Sequence, residues 1–245
     1  MFISKSILIA LLFFCSTLAS ALSIVAKEEA PYIGNELPNK GLSIDIVNTV
    51  LLRAGYETEV IFETWPRSYE GGEIGIYDVI GSIWKTAERE QYFVFSDAYL
   101  FHEIKFIKRK KDTSIKFDTI SDLDGLVVGI LKNYEYQKDF SNSRNIIKLQ
   151  QNHLIQNLLF LTQEQVDVTV GDERKIQYEI NKYMKSKMKD LEFLPQPLNK
   201  RGVHIAVSKS NPKHKEIIDK FNEALKAMKS DGSYQEIIKK HQQLY

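Results

Sequence analysis

The chain has 245 residues, with 33 basic and 32 acidic side chains and a formal net charge of +1 at pH 7. Because a nucleic-acid-binding protein needs a basic face, this balance argues against a nucleic-acid partner. Hydrophobic residues make up 43% of the sequence, which is enough to bury the core of one large domain or of two smaller ones.

The first 22 residues predict a cleaved targeting segment rather than part of the fold. Lys5 provides a positive charge, residues 7–14 are apolar, and Ala19-Ser20-Ala21 fits a small-residue cleavage site. The apolar stretch is too short to span a bilayer comfortably. A lipoprotein would be acylated at Cys15, but two phenylalanines stand directly before it, where such a signal has small residues. We therefore expect a secreted protein that keeps no cysteine after cleavage.

Short apolar strands alternate with amphipathic helices along the rest of the chain. The predicted elements of the first half are, in chain order, a strand over 23–26, a helix over 42–54 ended by Gly55, a strand over 58–62, a weak helix interrupted by glycines, and strands over 77–80 and 103–108. The charged stretch KRKKD at 108–112 is loop-like, and we expect the chain to leave a first lobe there.

A second series of strands and helices follows this stretch. Its predicted elements are a strand over 127–130, a helix near Tyr136, a strand over 146–149, a helix over 153–161, a strand over 166–170, a helix from Asp172 towards Met188, a linker at Pro195 and Pro197, a strand over 204–207, a helix that starts at Asn211-Pro212, and a short helix after Gly232. Alternating strands and helices predict an α/β architecture with helix-covered sheets.

Residues 78–99, DVIGSIWKTAEREQYFVFSDAY, contain an apolar strand followed by Thr-x-x-Arg and Phe-Ser-Asp-x-Tyr. In this order the motifs resemble the family 3 bacterial solute-binding proteins, the polar-amino-acid-binding group. Residues 41–55, 166–173 and 211–241 agree with the family's first helix, its second-lobe acidic turn and its closing helices. The resemblance implies a two-lobed periplasmic-binding-protein fold of type II, with two hinge crossings and the ligand in the cleft between the lobes.

The resemblance also implies a domain organisation and a function. We assign 1–22 to a signal peptide, 23–107 and 200–245 to the first lobe, and 108–199 to the second lobe. The expected protein is a periplasmic monomer that captures a small solute, an amino acid in this group, and delivers it to the permease of an ABC transporter. No cofactor or metal is expected.

Arg89 is the first candidate for ligand binding. Thr86 is a candidate N-cap, which would place Arg89 in the first turn of a helix, where free N–H groups point outward. A cation is unfavourable at this end of the helix dipole, and a bound anion would relieve the conflict. Because a guanidinium holds a carboxylate with two parallel hydrogen bonds, we predict that Arg89, with Thr86, binds a ligand carboxylate. The alternative is a solvated arginine paired with Glu88, Glu90 or Asp97.

Asp172 is the complementary candidate in the second lobe. It follows an apolar strand and Gly171, so its carboxylate should lie at the carboxyl end of the strand, where α/β folds bind ligands. The resemblance implies that this acid binds the α-ammonium group of the ligand. The alternative is a plain N-cap of the following helix, since Asp caps helices well without any ligand.

The other cleft residues are aromatic or polar side chains in the segments that the resemblance places around the ligand. They are Trp65, Trp84, Ser82, Tyr32, Tyr134 and Glu135. Arg67 is a weaker candidate, and an exposed position at a helix start is the better interpretation for it. Trp84 stands where the family usually has Ser or Thr, and Asn133-Tyr134-Glu135 replaces a segment of small hydroxyl residues. These departures leave the ligand open: a smaller or flatter one fits the pattern, as does one with a cationic tail for Glu135.

Two other functions are compatible with the same fold. An enzyme would need titratable groups that converge in a cleft, but the five histidines are scattered and show no metal-binding spacing. The sequence also lacks a glycine-rich phosphate loop and a Gly-x-Ser-x-Gly motif. We therefore expect a binding protein and no enzyme. A protein that presents its ligand to a receptor remains the other alternative.

Overall fold

The computed structural model describes residues 21–244, so the predicted signal peptide lies almost entirely outside the described residues. The elements of the first lobe are β1 (Leu22–Ala26), α1 (Leu42–Arg53), β2 (Thr58–Phe62), α2 (Trp65–Glu73), β3 (Val79–Trp84), β4 (Phe93–Phe95), α6 (His214–Asp231) and α7 (Ser233–Gln242). Within the described part of the chain, no helix is long and apolar enough to cross a membrane.

Two long strands connect this lobe to the second, and they are β5 (Leu100–Arg109) and β9 (Leu191–Ser208). The elements of the second lobe are β6 (Val127–Leu131), α3 (Lys138–Asn142), β7 (Ile147–Gln151), α4 (Leu154–Thr162), β8 (Val168–Asp172) and α5 (Glu173–Tyr183). Short 3-10 turns lie at Pro38–Lys40, Arg89–Gln91, Ile120–Leu123 and Lys185–Asp190.

The described strands form one mixed sheet in the order β2-β1-β3-β9-β5-β8-β6-β7, with β4 paired to β9. Strands β1, β2 and β3 are parallel in the first lobe, and β6, β7 and β8 are parallel in the second. Strands β5 and β9 are antiparallel to each other and run through both lobes. This is the mixed α/β, type II architecture that the sequence predicted.

Each lobe has its own hydrophobic core. The first-lobe core joins both halves of the chain, because α6 buries the six residues that were predicted from its helical spacing. These are Ile217, Ile218, Phe221, Ala224, Leu225 and Met228. The second lobe has a core on each face of its sheet, one around Phe106 and Phe140 and the other around Leu158 and Ile176. Neither lobe therefore depends on the other for its burial of apolar surface.

The chain passes between the lobes along β5 and β9. Leu100 packs in the first-lobe core, whereas Ile104 and Phe106 pack in the second. On β9, Leu198 belongs to the second lobe and Val203 to the first. The assignment of residues up to 107 to the first lobe stays a prediction, and side-chain packing favours a crossing between Leu100 and Ile104.

The predicted linker at Pro195 and Pro197 is wrong, because both prolines lie inside β9. Proline cannot donate to a strand ladder, and it is tolerated here since the β5–β9 register is irregular around Lys105, which pairs with Pro197. The last helix pair begins at His214 rather than at Asn211. The Asn211 side chain accepts a hydrogen bond from the backbone N–H of Lys213 and so forms a turn before the helix.

Three elements differ locally from those predicted from the sequence. The helix expected near Tyr136 starts at Lys138, because the Tyr136 hydroxyl accepts a 2.9 Å hydrogen bond from the Leu131 backbone and fixes the segment before it. Helix α5 ends at Tyr183, since the next residue, Met184, leaves the helical conformation and is buried in the core. Strand β4 was not predicted from the sequence, because it has only three residues, and the last of them, Phe95, begins the Phe-Ser-Asp-x-Tyr motif.

The Phe-Ser-Asp-x-Tyr motif holds the first lobe together. Ser96 exchanges hydrogen bonds with the backbone of Ile205 on β9, and the Asp97 backbone donates to Asn222 on α6. The buried Tyr99 hydroxyl donates a 2.9 Å hydrogen bond to the carbonyl of Gly81 in β3. The motif thus fixes the strand whose end carries Ser82 and Trp84.

Candidate functional site

A cleft of ≈ 350 Å³ lies between the lobes, where the carboxyl ends of several strands meet. The segment after β1, the start of α2, the end of β3 and the turn that follows it form one wall, and the segment after β6 forms the other. The residues that line the cleft are Lys27, Glu29, Trp65, Ser82, Ile83, Trp84, Arg89, His102, Asn133, Tyr134 and Glu135. Six of the nine predicted site residues are in this set.

Arg89 faces the cleft from the 3-10 turn after β3. Its guanidinium donates a 2.7 Å hydrogen bond to the Trp84 carbonyl and lies 5.3 Å from the centre of the Trp65 ring. Among residues 21–244 it forms no ion pair with a carboxylate, so the pairing with Glu88, Glu90 or Asp97, the alternative to ligand binding, is not made. The guanidinium therefore has donors that remain free for an anion.

Thr86 supports Arg89 and does not line the cleft. Its hydroxyl accepts a 3.3 Å hydrogen bond from the Arg89 backbone N–H, as expected for a cap, but the turn that follows is a 3-10 helix of three residues and not an α-helix. Arg67, the weaker candidate, is exposed and pairs with Glu63 on the surface. Thr86 was predicted to bind the ligand with Arg89, and the structure places it outside the cleft lining. Arg67 has the exposed position at a helix start that was its preferred interpretation.

Aromatic rings form the walls of the cleft. Trp84 is in edge-to-face contact with Tyr134 of the opposite lobe, with ring centres 5.7 Å apart. The guanidinium of Arg201, on β9, lies over the Trp84 ring at 4.0 Å. Such contacts favour flat or apolar ligand surfaces between the rings. The sequence did not single out Arg201, since a lone arginine in the second hinge strand has no local pattern.

Tyr32 and Asp172 form a direct bridge between the lobes. The Tyr32 hydroxyl donates a 2.7 Å hydrogen bond to Oδ1 of Asp172, and both side chains are buried. The loop that carries Tyr32 depends on Gly41, which adopts φ 95°. A Cβ at Gly41 would lie 2.5 Å from the Tyr32 carbonyl oxygen, so the loop needs glycine at this position.

Asp172 combines the two roles that the sequence left open. Oδ1 accepts a 2.9 Å hydrogen bond from the Lys175 backbone N–H, so the carboxylate caps α5. Oδ2 is buried and has no hydrogen-bond partner within the described residues. Burial raises the pKa of the Asp172 carboxyl to about 6, although the Lys175 N–H, the Tyr32 hydroxyl and Arg174 oppose the shift. One oxygen is structural, and the other is buried without a partner in the described chain. Asp172 and Tyr32, both predicted site residues, are not among the residues that line the cleft.

His102 is a cleft residue that the sequence reasoning did not identify. It lies on β5 at the crossing, is 6% exposed, stacks on Tyr32 with ring centres 4.3 Å apart, and contacts Trp84 edge to face. Its Nε2 atom is buried without a hydrogen-bond partner in the described chain. Burial, helped by Arg174 and Arg201, lowers the pKa of His102 to about 3, so the ring stays neutral at physiological pH. Its position in an extended hinge strand gave no motif.

Two ion pairs lie at the edges of the cleft. Glu29 of the first lobe pairs with Lys175 of the second. Glu135 pairs with Arg201 at 2.9 Å, and the Glu135 backbone carbonyl accepts a second hydrogen bond from the same guanidinium at 2.9 Å. Both acids that line the cleft therefore already have basic partners.

The two-lobed architecture, with an aromatic and charged cleft between the lobes, is that of the type II periplasmic-binding class. The family model described as bacterial extracellular solute-binding proteins, family 3, matches residues 24–243. The chain belongs to this family, as the motifs of residues 78–99 implied. The family consists of solute-binding proteins rather than enzymes.

Curated relatives align over most of the chain at low identity. The L-cystine-binding protein TcyA of Bacillus subtilis is 23% identical over 82% of this chain and 71% of its own length. The arginine-binding periplasmic protein of Mannheimia haemolytica is 24% identical over 96% of this chain and 98% of its own length. The ABC transporter arginine-binding protein 1 of Escherichia coli is 28% identical over 66% of this chain and 64% of its own length.

Solved structures share the fold. Substrate-binding domain 2 of Lactococcus lactis GlnP, in an open conformation, gives a TM-score of 0.71 at 20% identity, covering 90% of this chain and 94% of that one. The GluR0 ligand-binding core in complex with L-glutamate gives a TM-score of 0.72 at 17% identity, covering 91% of this chain and 98% of that one. At these identities the similarity shows the architecture alone.

Proposed function

We propose that this protein captures an α-amino acid in the periplasm and delivers it to an ABC transporter. The family membership gives the general role of solute binding. The names of its relatives, which bind cystine and arginine, support an amino acid as the class of solute. The targeting pattern of residues 1–22 supports export with cleavage of a signal peptide, and we propose that the protein acts as a monomer.

The observation that carries this proposal is a pair of opposite charges on opposite lobes, each with unused capacity. Arg89 has free guanidinium donors on the first lobe, and Asp172 has a buried oxygen without a partner on the second. A zwitterionic α-amino acid presents a carboxylate and an ammonium group on one carbon, which complements this pair. Because the two protein groups belong to different lobes, a ligand that holds both would also hold the lobes together.

The test begins with a thermal-shift screen of α-amino acids and continues with calorimetry on the best ligand. Two analogues of that ligand are then compared, one without the α-amino group and one without the α-carboxyl group. Loss of one partner of a desolvated charge pair costs about 2 to 5 kcal/mol, so each analogue should bind at least about 30-fold more weakly. Equal binding of either analogue would reject the zwitterion.

Arg89→Ala should cause a similar loss of affinity for the intact ligand, and Arg89→Lys should restore it in part, because lysine lacks the planar fork. Arg67→Ala is the matched control, since Arg67 is a nearby surface arginine that pairs with Glu63. It should bind like the wild type. Wild-type affinity of Arg89→Ala would remove Arg89 from the site.

A further inference from the structure

The acids of the cleft leave no free charge for a cationic ligand tail. Glu29 pairs with Lys175, and Glu135 pairs with Arg201 through both its carboxylate and its backbone. A third acid, Asp172, serves the α-ammonium group in the proposed function. Among the described residues that line the cleft, the basic groups Lys27 and Arg89 form no ion pair with an acid. Because Arg89 serves the ligand carboxylate in the proposed function, Lys27 is the lining charge that remains, and a cationic tail would meet this like charge and no unpaired carboxylate of the described lining.

The buried polar atoms that remain belong to uncharged groups. The Tyr134 hydroxyl and the His102 Nε2 atom are both buried, and neither has a hydrogen-bond partner within residues 21–244. They lie on either side of Trp84, whose ring contacts both side chains. Buried polar atoms of this kind cost free energy unless a partner satisfies them. Both residues line the cleft, Tyr134 from the second lobe and His102 from the crossing strand β5, so a ligand bound between them is a partner that would satisfy both.

Both groups stay uncharged at physiological pH. Burial and two nearby arginines lower the pKa of His102 to about 3. Burial raises the pKa of the Tyr134 hydroxyl well above its ordinary value, and the negative charge of Asp172 raises this pKa further. A neutral imidazole nitrogen and a phenol hydroxyl form hydrogen bonds with amides, hydroxyls and similar uncharged groups.

We propose that the cleft selects amino acids with an uncharged polar side chain over those with a cationic one, and that His102 and Tyr134 are the specificity-determining residues. This inference rests on the proposed function and names its substrate class. The side chain lies between the rings of Trp65, Trp84 and Tyr134, and its polar group contacts His102 and Tyr134.

The test uses ligands that match in shape and differ in charge. Citrulline has the shape of arginine without its charge, glutamine is an uncharged amide to compare with lysine, and norleucine is an apolar chain of comparable length. Calorimetry on the wild-type protein should show citrulline at least about tenfold tighter than arginine, and glutamine at least about tenfold tighter than lysine and norleucine.

Variants locate the selection. Tyr134→Phe removes only a hydroxyl, and His102→Phe keeps the ring that stacks on Tyr32. Each should weaken citrulline or glutamine about tenfold and leave norleucine unchanged. His153→Phe, in the second lobe outside the cleft lining, is the control and should bind like the wild type.

The outcomes separate the two proposals. Binding of arginine or lysine as tight as that of their uncharged counterparts would overturn the inference and leave the proposed function intact. Unchanged glutamine affinity in both Tyr134→Phe and His102→Phe, with melting temperatures near that of the wild type, would remove these residues. No binding by any amino acid would reject both proposals.

Discussion

Asp172→Asn separates the structural role of Asp172 from its proposed ligand contact through the pH dependence of stability. Burial raises the pKa of the carboxyl from 3.8 to about 6 in the folded protein. The unfolded chain therefore releases this proton at lower pH than the folded chain does. The stabilising effect of the neutral acid is complete below about pH 4 and is lost as the pH rises through about 6.

A rise of about two pKa units corresponds to about 3 kcal/mol of free energy of unfolding. Asparagine has no charge to bury, and its amide oxygen can still accept from Lys175 and Tyr32, the two partners of Oδ1. In Asp172→Asn, burying the amide group lowers the free energy of unfolding by an amount that is roughly independent of pH. The difference in stability, variant minus wild type, should therefore increase by about 3 kcal/mol between about pH 4 and pH 8.

Urea unfolding without ligand at a series of pH values measures this difference. Titratable groups that do not contact Asp172 contribute alike to both proteins and cancel in the difference. Asp167→Asn is the control, because Asp167 accepts a hydrogen bond from Val127 at the opposite end of β8. It should not show the same rise. A pH-independent difference for Asp172→Asn would refute the argument that burial destabilises the charged carboxylate.

The same variant tests the ligand contact. Asparagine places an amide nitrogen or a neutral oxygen where Oδ2 now lies, so it cannot pair with an ammonium group. Affinity for the amino acid should fall by at least about 30-fold at pH 8. Unchanged affinity would remove Asp172 from the site and point to a ligand without an α-amino group.

Three further predictions concern closure and folding. Small-angle scattering should show a smaller radius of gyration with ligand than without it, and an identical curve at saturation would indicate a rigid receptor. Gly41→Ala should lower the free energy of unfolding in urea by about 2 to 4 kcal/mol, because the added methyl group meets the Tyr32 carbonyl. Gly55→Ala is the control, also at positive φ but with open space around it, and should cost about 1 kcal/mol. Arg109→Ala should lower the free energy of unfolding by about 3 kcal/mol, since this buried arginine donates to two backbone carbonyls. Lys111→Ala, which removes the exposed ion pair with Glu164, should cost under about 1 kcal/mol. Equal costs would contradict the burial argument.

The fold could be predicted from the sequence because its signals are local and periodic. The stripe of α6, from Ile217 to Met228, follows from helical spacing alone, and the apolar run that forms β8 gave its strand. The prolines at 195 and 197 gave a false linker, because the irregular pairing that admits them depends on β5, about 90 residues away in the chain. The sequence does not show such a partner.

The site was predictable where a motif carried it. Arg89 and Trp84 lie in a recognisable segment, and both line the cleft. His102 and Arg201 lie in long strands, and the local sequence around them does not distinguish them from other strand residues. Their importance arises only when β5 and β9 pair at His102 and Arg201, which brings both beside Trp84. The partner of Glu135 could not be foreseen for the same reason, and a carboxylate that looked available for a cation is already neutralised.

The path of β5 and β9 has a consequence for the order in which the protein can be assembled. The second lobe is one continuous insertion, so its cores are complete once β9 has been added. The first-lobe core includes residues from Ile24 to Met228 and stays open until α6 has docked against α1. As the chain grows from its N-terminus, the lobe that begins first is therefore the last to become stable. A growing or C-terminally shortened chain would combine a finished second lobe with an exposed apolar surface on the first, and this surface is where chaperones or proteases would act.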